Sequence, residues 1–135
     1  MKISTKAERG RRQGPEDWFT GRAWMEPIAE HAPSNEVQAL YVEFEAGART
    51  HWHTHPIGQV LEVTSGRGWV QVEGQPARPI GVGDVVVIGP NENHWHGACA
   101  EEPMTHLAIN EWDAAGSNVT WGAAVTDEEF AAAGN

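Results

Sequence analysis

The chain has 135 residues, with 19 acidic against 9 basic side chains and a formal charge of −10. That length suits one domain with a real core. The acidic balance argues against nucleic acid or an anionic membrane as partner, and no run of 18 apolar residues offers a spanning helix.

Residues 1–35, punctuated by Pro15, Pro27 and Pro33, read as an N-terminal arm of loops and short strands. The opening MKISTKAERGRRQG carries basic residues without the apolar stretch of an export signal, and Cys99 has no second cysteine to pair with, so a cytoplasmic location is expected. From 36 to 115 the text breaks into short β-branched or aromatic runs: VQALYVEFE, THWHTH, QVLEVTSG, GWVQVEG, DVVVIG, HWHGA and MTHLAINEW. Their spacing predicts an all-β sandwich or barrel. Ser65-Gly66-Arg67-Gly68 and Glu73-Gly74-Gln75-Pro76 predict hairpin turns, and Gly81-Val82-Gly83-Asp84 a turn into a further strand. In the extension 116–135, Thr126-Asp127-Glu128-Glu129 has capping-box spacing and predicts a short helix through Phe130.

Chemistry concentrates in GARTHWHTHPIGQ (47–59) and HWH (94–96). Residues two apart on a strand share a face, which groups His51, His53 and His55. At about 3.3 Å per residue the outer two are roughly 13 Å apart, so only an adjacent pair can serve one ion. Gln59, beyond the Pro56-Ile57-Gly58 turn, is placed to complete three ligands, whereas Glu62 has the opposite parity in its strand. A fourth ligand comes from HWH, with His94 and His96 as alternatives on one face. Trp52 and Trp95 have the parity opposite to their flanking histidines and are expected on the outer side, covered by the arm or by a partner subunit. Further along, His106, Ala108 and Asn110 share one strand face, and Leu40, Val42 and Phe44 share another. With Thr50 and His96 they make the wall of an apolar cavity with a few aimed polar groups. His96 and His106 are either structural histidines bonded to backbone carbonyls or proton-transfer groups. The arm, lying near an outer face that carries Leu107 and Ile109, suggests a homodimer or higher homo-oligomer.

Two motifs in register resemble those of the cupin superfamily. The first is Gly47, His53, His55, Gln59 and Gly66, with Gln where the family has Glu. The second is Gly83, Gly89, Asn91, His94 and Ala98, in which Gly89, Asn91 and Ala98 replace Pro, Gly and Asn. Asn91 can make the turn the family's glycine makes, because Asn tolerates left-handed backbone. The stretches GPEDWFTG, GARTHWHTHPIGQ, HWHGA, MTHLAINEW and VTDEEF are similar, more narrowly, to small bacterial manganese-dependent cupin hydroxynitrile lyases.

That resemblance implies a single-domain jelly-roll-like barrel binding one divalent metal per chain through His53, His55, Gln59 and His94. Manganese stands ahead of iron, nickel, cobalt and zinc. It further implies His96 or His106 as proton acceptor in the reversible cleavage of an aromatic cyanohydrin, and a small-molecule substrate in a pocket lined by Leu40, Val42, Phe44, Thr50, Ala108 and Asn110. The rival expectations are an Fe(II)-dependent dioxygenase and a non-catalytic binder of a small ligand.

Overall fold

In the computed structural model, residues 1–30, 32 and 35–134 are described; Pro33, named with the arm, lies outside them. A short 3-10 turn (Lys6–Glu8) precedes β1 (Arg12–Gln13), β2 (Phe19–Thr20), β3 (Ala23–Ala29), β4 (Val37–Phe44), β5 (Arg49–Thr50) and β6 (His53–Thr54). There follow β7 (Gln59–Val72), β8 (Arg78–Gly81), β9 (Val85–Ile88), β10 (His94–Ala98), β11 (Met104–Glu111), β12 (Thr120–Trp121) and α1 (Asp127–Ala132). The all-β expectation holds. One continuous antiparallel path, β1-β3-β4-β11-β7-β10-β5-β2, curls on itself with β7 at its centre.

The long strand β7 corrects the turn expected at 65–68. Its first half pairs with β11 and β9, its second with β10 and β8, so one strand serves both walls of the barrel. Gly66 sits at φ +71°, beside a register shift in the β7–β11 ladder. A Cβ there would overlap the carbonyl oxygen of Pro103, and one at Gly68 would overlap that of Gly97. These glycines permit a bend and close backbone approach within a strand, a role the sequence does not separate from a turn. The other two turns form as expected: Gln75 N donates to Val72 O at 3.0 Å, and Asp84 N to Gly81 O at 2.9 Å.

Strand alternation builds the interior. On β7, Gln59, Leu61 and Val63 are buried while Val60, Glu62 and Thr64 are exposed. On β4 and β11 the buried sets include Leu40, Val42 and Phe44, and His106, Ala108 and Asn110. The register stacks these in rows across three strands: Val42, His106 and Val63; then Leu40, Ala108 and Leu61; then Gln38, Asn110 and Gln59. The second half of the arm is part of this wall, since β3 pairs with β4 from Ala23↔Phe44 to Ala29↔Ala39.

The extension packs on the outer side of β10. Thr126 caps α1 with both bonds of a capping box, Glu129 N to Thr126 Oγ1 at 3.1 Å and Thr126 N to Glu129 Oε1 at 2.9 Å. Arg49, buried, anchors it by donating to Val125 O at 3.0 Å and Asp127 Oδ1 at 2.7 Å, with its guanidinium 4.5 Å from the Phe130 ring centre. Trp95 is thereby fully buried against Val125 and Phe130, with Trp52 and Trp69 around them. It does lie on the outer face, but its cover is the C-terminal extension rather than the arm.

Candidate metal centre

The His-rich segment is not one regular strand. Arg49 pairs with Gly97 and His53 with His94, so four residue steps on one strand face three on the other. One extra residue is a bulge, and it resets the alternation. Thr50 and His53, three apart, are both buried beside β10, whereas His51 is left half-buried. This corrects the premise that His51, His53 and His55 share a face, which assumed unbroken pleating. Past the bulge His53 and His55 keep their relation, and both are buried.

Three histidine rings are held by the main chain. His53 Nδ1 lies 2.9 Å from His51 O, His55 Nδ1 2.6 Å from Asn118 O, and His94 Nδ1 2.8 Å from Glu92 O. A carbonyl only accepts, so each Nδ1 carries the hydrogen and each Nε2 keeps a lone pair. The ring centroids of His53 and His94 are 4.2 Å apart, and His55 lies 5.0 Å from the first and 5.6 Å from the second. Asn91, between Gly89 and His94, has φ 59° and donates its N–H to His55 O at 2.8 Å, which draws the two motifs together.

The donor set fits a divalent ion. His55 Nε2 is buried with no hydrogen-bond partner among the described residues. His94 Nε2 faces Gln59 Oε1 at 3.3 Å, and because His94 already spends its hydrogen on Glu92, two acceptor lone pairs oppose each other. A divalent cation held by both lone pairs would resolve that conflict. Burial pushes the pKa of His94 down to about 4 and that of His55 below its ordinary value. His53 is held well below by burial, reinforced by His94 and His55. Around neutral pH all three are therefore neutral, with lone pairs free.

Beside this group lies a second pair. His96 Nδ1 and His106 Nε2 are 2.9 Å apart, and the outer nitrogens, His96 Nε2 and His106 Nδ1, are buried with no hydrogen-bond partner among the described residues. Burial takes His106 to about 4 and His96 well below its usual range. Two neutral rings hold two hydrogens over four nitrogens, and one hydrogen bridges the pair. The other sits on one outer nitrogen, so the remaining outer nitrogen always presents a lone pair. The ligand atoms of His53, His94 and His96 all lie within 4.8 Å of one another. Sequence parity set His94 and His96 as alternatives; the structure brings both to the centre.

A cavity of about 340 Å³ opens on these groups, and Leu40, Val42, Phe44, Thr50, Ala108 and Asn110 all line it. Thr50 Oγ1 accepts the His96 backbone N–H at 3.2 Å. Among the described residues in the wall there is no Asp, Glu, Lys or Arg. The sequence reading missed Asn118, Val119 and Trp121 of the extension, which also line the cavity, and Trp18, which stacks on Trp121 with centroids 5.4 Å apart. Trp121 pairs with His53 in the β12–β6 ladder, its ring centre 4.7 Å from the imidazole. Two-residue strands carry too little periodicity to be found from sequence.

A family model described as Cupin domain matches residues 40–110. The chain is 46% identical over 130 residues to a protein named (R)-mandelonitrile lyase from Granulicella tundricola, spanning 96% of this chain and 98% of the relative. A crystal structure of a cupin-like protein from Thermotoga maritima superposes with a TM-score of 0.84 at 42% identity, covering 94% of this chain and 95% of that one. The DMSP lyase DddQ from Ruegeria pomeroyi also superposes, with a TM-score of 0.62 and 25% identity, over 83% of this chain and 56% of that one.

Proposed function

The chain belongs to the cupin family, and on that premise we propose that it is a metal-dependent hydroxynitrile lyase, cleaving an aromatic cyanohydrin such as mandelonitrile to an aldehyde and HCN. The relative named (R)-mandelonitrile lyase supports the reaction class. The observation that carries the reading is the neighbourhood of two kinds of histidine beside one cavity without charged side chains among the described residues: three with Nδ1 tied to carbonyls, and a mutually bonded pair that keeps one outer lone pair.

His53, His55, Gln59 and His94 would hold the ion, manganese first among the candidates. Bound there, a divalent ion supplies Lewis acidity toward a substrate hydroxyl, undiminished because no ligand is anionic. The substrate's hydroxyl proton passes to the free nitrogen of the His96–His106 pair. As the carbonyl forms, the carbon–carbon bond breaks and its electron pair leaves on cyanide, which the same pair reprotonates to HCN. A wall built from Leu40, Val42, Phe44, Trp18, Phe19 and Trp121 favours an aromatic substrate, with no charged side chain among the described lining residues.

Manganese-loaded protein is expected to cleave mandelonitrile at the same rate with and without oxygen. Loss of turnover under anaerobic conditions would turn the assignment toward a dioxygenase.

We also propose a homodimer. Ile109, Val60 and Val87 stand side by side in register across β11, β7 and β9 on the outer face, with 37%, 39% and 73% of their surface exposed. An apolar row of this kind is suited to a second copy of the same face. Sedimentation should give a dimer for the wild type and a monomer for Val60→Lys/Val87→Lys; a monomeric wild type, or a dimeric variant, sinks this reading.

A further inference from the structure

We infer that Gln38 is a positioning residue for the metal centre, acting on His55 through Asn118. The inference rests on the reading of His53, His55, Gln59 and His94 as the ligands. Of the three carbonyls that fix the histidine rings, those of His51 and Glu92 lie two residues from their own histidine, so local backbone conformation places them. The third belongs to Asn118, 63 positions from His55 on the C-terminal extension, and only tertiary contacts bring it there. One such contact is the β12–β6 pairing at Thr120↔Thr54. Another is the Asn118 side chain, whose Nδ2 donates to Gln38 Oε1.

Gln38 breaks the pattern of its strand. The cavity-facing positions that follow it on β4 are Leu40, Val42 and Phe44, and a leucine at 38 would continue that apolar wall. An amide in such a wall loses hydration and needs bonds to offset the loss. It has two: Gln38 Oε1 accepts from Asn118 and also from Asn110 Nδ2 at 3.2 Å. Asn110 in turn stands between Gln38 and Gln59 in the cross-strand row. One carbonyl oxygen thus ties the carbonyl that orients His55 to a residue of the cavity wall, and Gln59 occupies the next place in the same row.

Removing that oxygen takes away the acceptor of two amide donors and releases the Asn118 side chain, one of the contacts that hold this segment. Loss of outer partners of metal ligands costs about 10- to 100-fold in affinity. The test is Mn²⁺ affinity by chelator competition on metal-stripped wild type, Gln38→Leu, Gln38→Glu, Asn118→Ala and the Gln38→Leu/Asn118→Ala double variant. Gln38→Leu is expected to bind about 10- to 100-fold more weakly. Gln38→Glu, which keeps an acceptor oxygen in place, should bind close to wild type. Asn118→Ala keeps the carbonyl but loses the side-chain bond, so it should resemble Gln38→Leu, and the double variant should be no weaker than the weaker single. Wild-type affinity in Gln38→Leu, equal losses in the Leu and Glu variants, or additive losses in the double would overturn the inference. A wild type that binds no divalent metal overturns the reading of the ligands beneath it, and is recognised by flat titrations in all five proteins.

Discussion

His94→Ala is expected to lose nearly all bound divalent metal and with it the proposed lyase activity, while His51→Ala should retain both. His94 is fully buried, its ring fixed through Nδ1 and its Nε2 turned toward Gln59 Oε1. Truncation removes one of the four proposed donors outright, so the fall in affinity should exceed the roughly 10- to 100-fold that loss of an outer partner costs. His51 reaches the centre only through its backbone oxygen, which accepts from His53 Nδ1 and which alanine also provides. The buried void left at position 94 lowers stability by about 2–4 kcal/mol, so the comparison is made well below the melting transition of the variant. Elemental analysis after dialysis against trace Mn²⁺ gives the stoichiometries. Full occupancy in His94→Ala would remove His94 from the ligand set, and metal loss in His51→Ala would restore a direct role to that ring.

The sequence carried the walls of the barrel more clearly than its corners. Alternation on β4, β7 and β11 is written in the spacing of Leu40, Val42 and Phe44, of Gln59, Leu61 and Val63, and of His106, Ala108 and Asn110, because each strand has one face in water and one in the core. The left-handed Asn91 and the Thr126 capping box were legible for a similar reason, since a few local atoms decide them. Gly66 and Gly68 were not. Glycine needed for a bend or for close backbone approach looks the same in a sequence as glycine needed for a turn, and only the partner strand distinguishes them.

That His51 leaves the face of His53 and His55 escaped for a related reason: the bulge is defined by counting against β10, and a single strand carries no such count. Nor did any letter announce that Asn118 would lend its carbonyl to His55 or that Trp121 would stand against His53. Backbone oxygens have no side-chain signature, and the extension that brings them is positioned by the buried Arg49, whose bonds to Val125 and Asp127 span more than 70 residues. What remained hidden in the sequence is thus concentrated in contacts of high sequence separation.

Gln59→Glu should bind metal at least as tightly as the wild type and turn over cyanohydrin more slowly, by roughly tenfold or more. The two side chains are nearly isosteric, and position 59 is buried beside His55 and His94, so the change is one of charge. A carboxylate cancels half of the charge of a divalent ion. In the proposed mechanism that would strengthen its retention but weaken its pull on a substrate hydroxyl, whose proton the His96–His106 pair would then have to take from a less acidic group. The metal-free variant suffers separately, because a carboxyl in this apolar cavity lacks the charged partner that would offset its lost hydration. Metal binding relieves that penalty, so the thermal upshift on adding Mn²⁺ should be larger in Gln59→Glu than in the wild type. Tighter binding with unchanged or raised turnover would break the link between ligand charge and rate, leaving the amide to be explained by shape alone. Tighter binding, a larger upshift and slower turnover together would identify the neutral ligand as the feature that suits this centre to Lewis-acid chemistry.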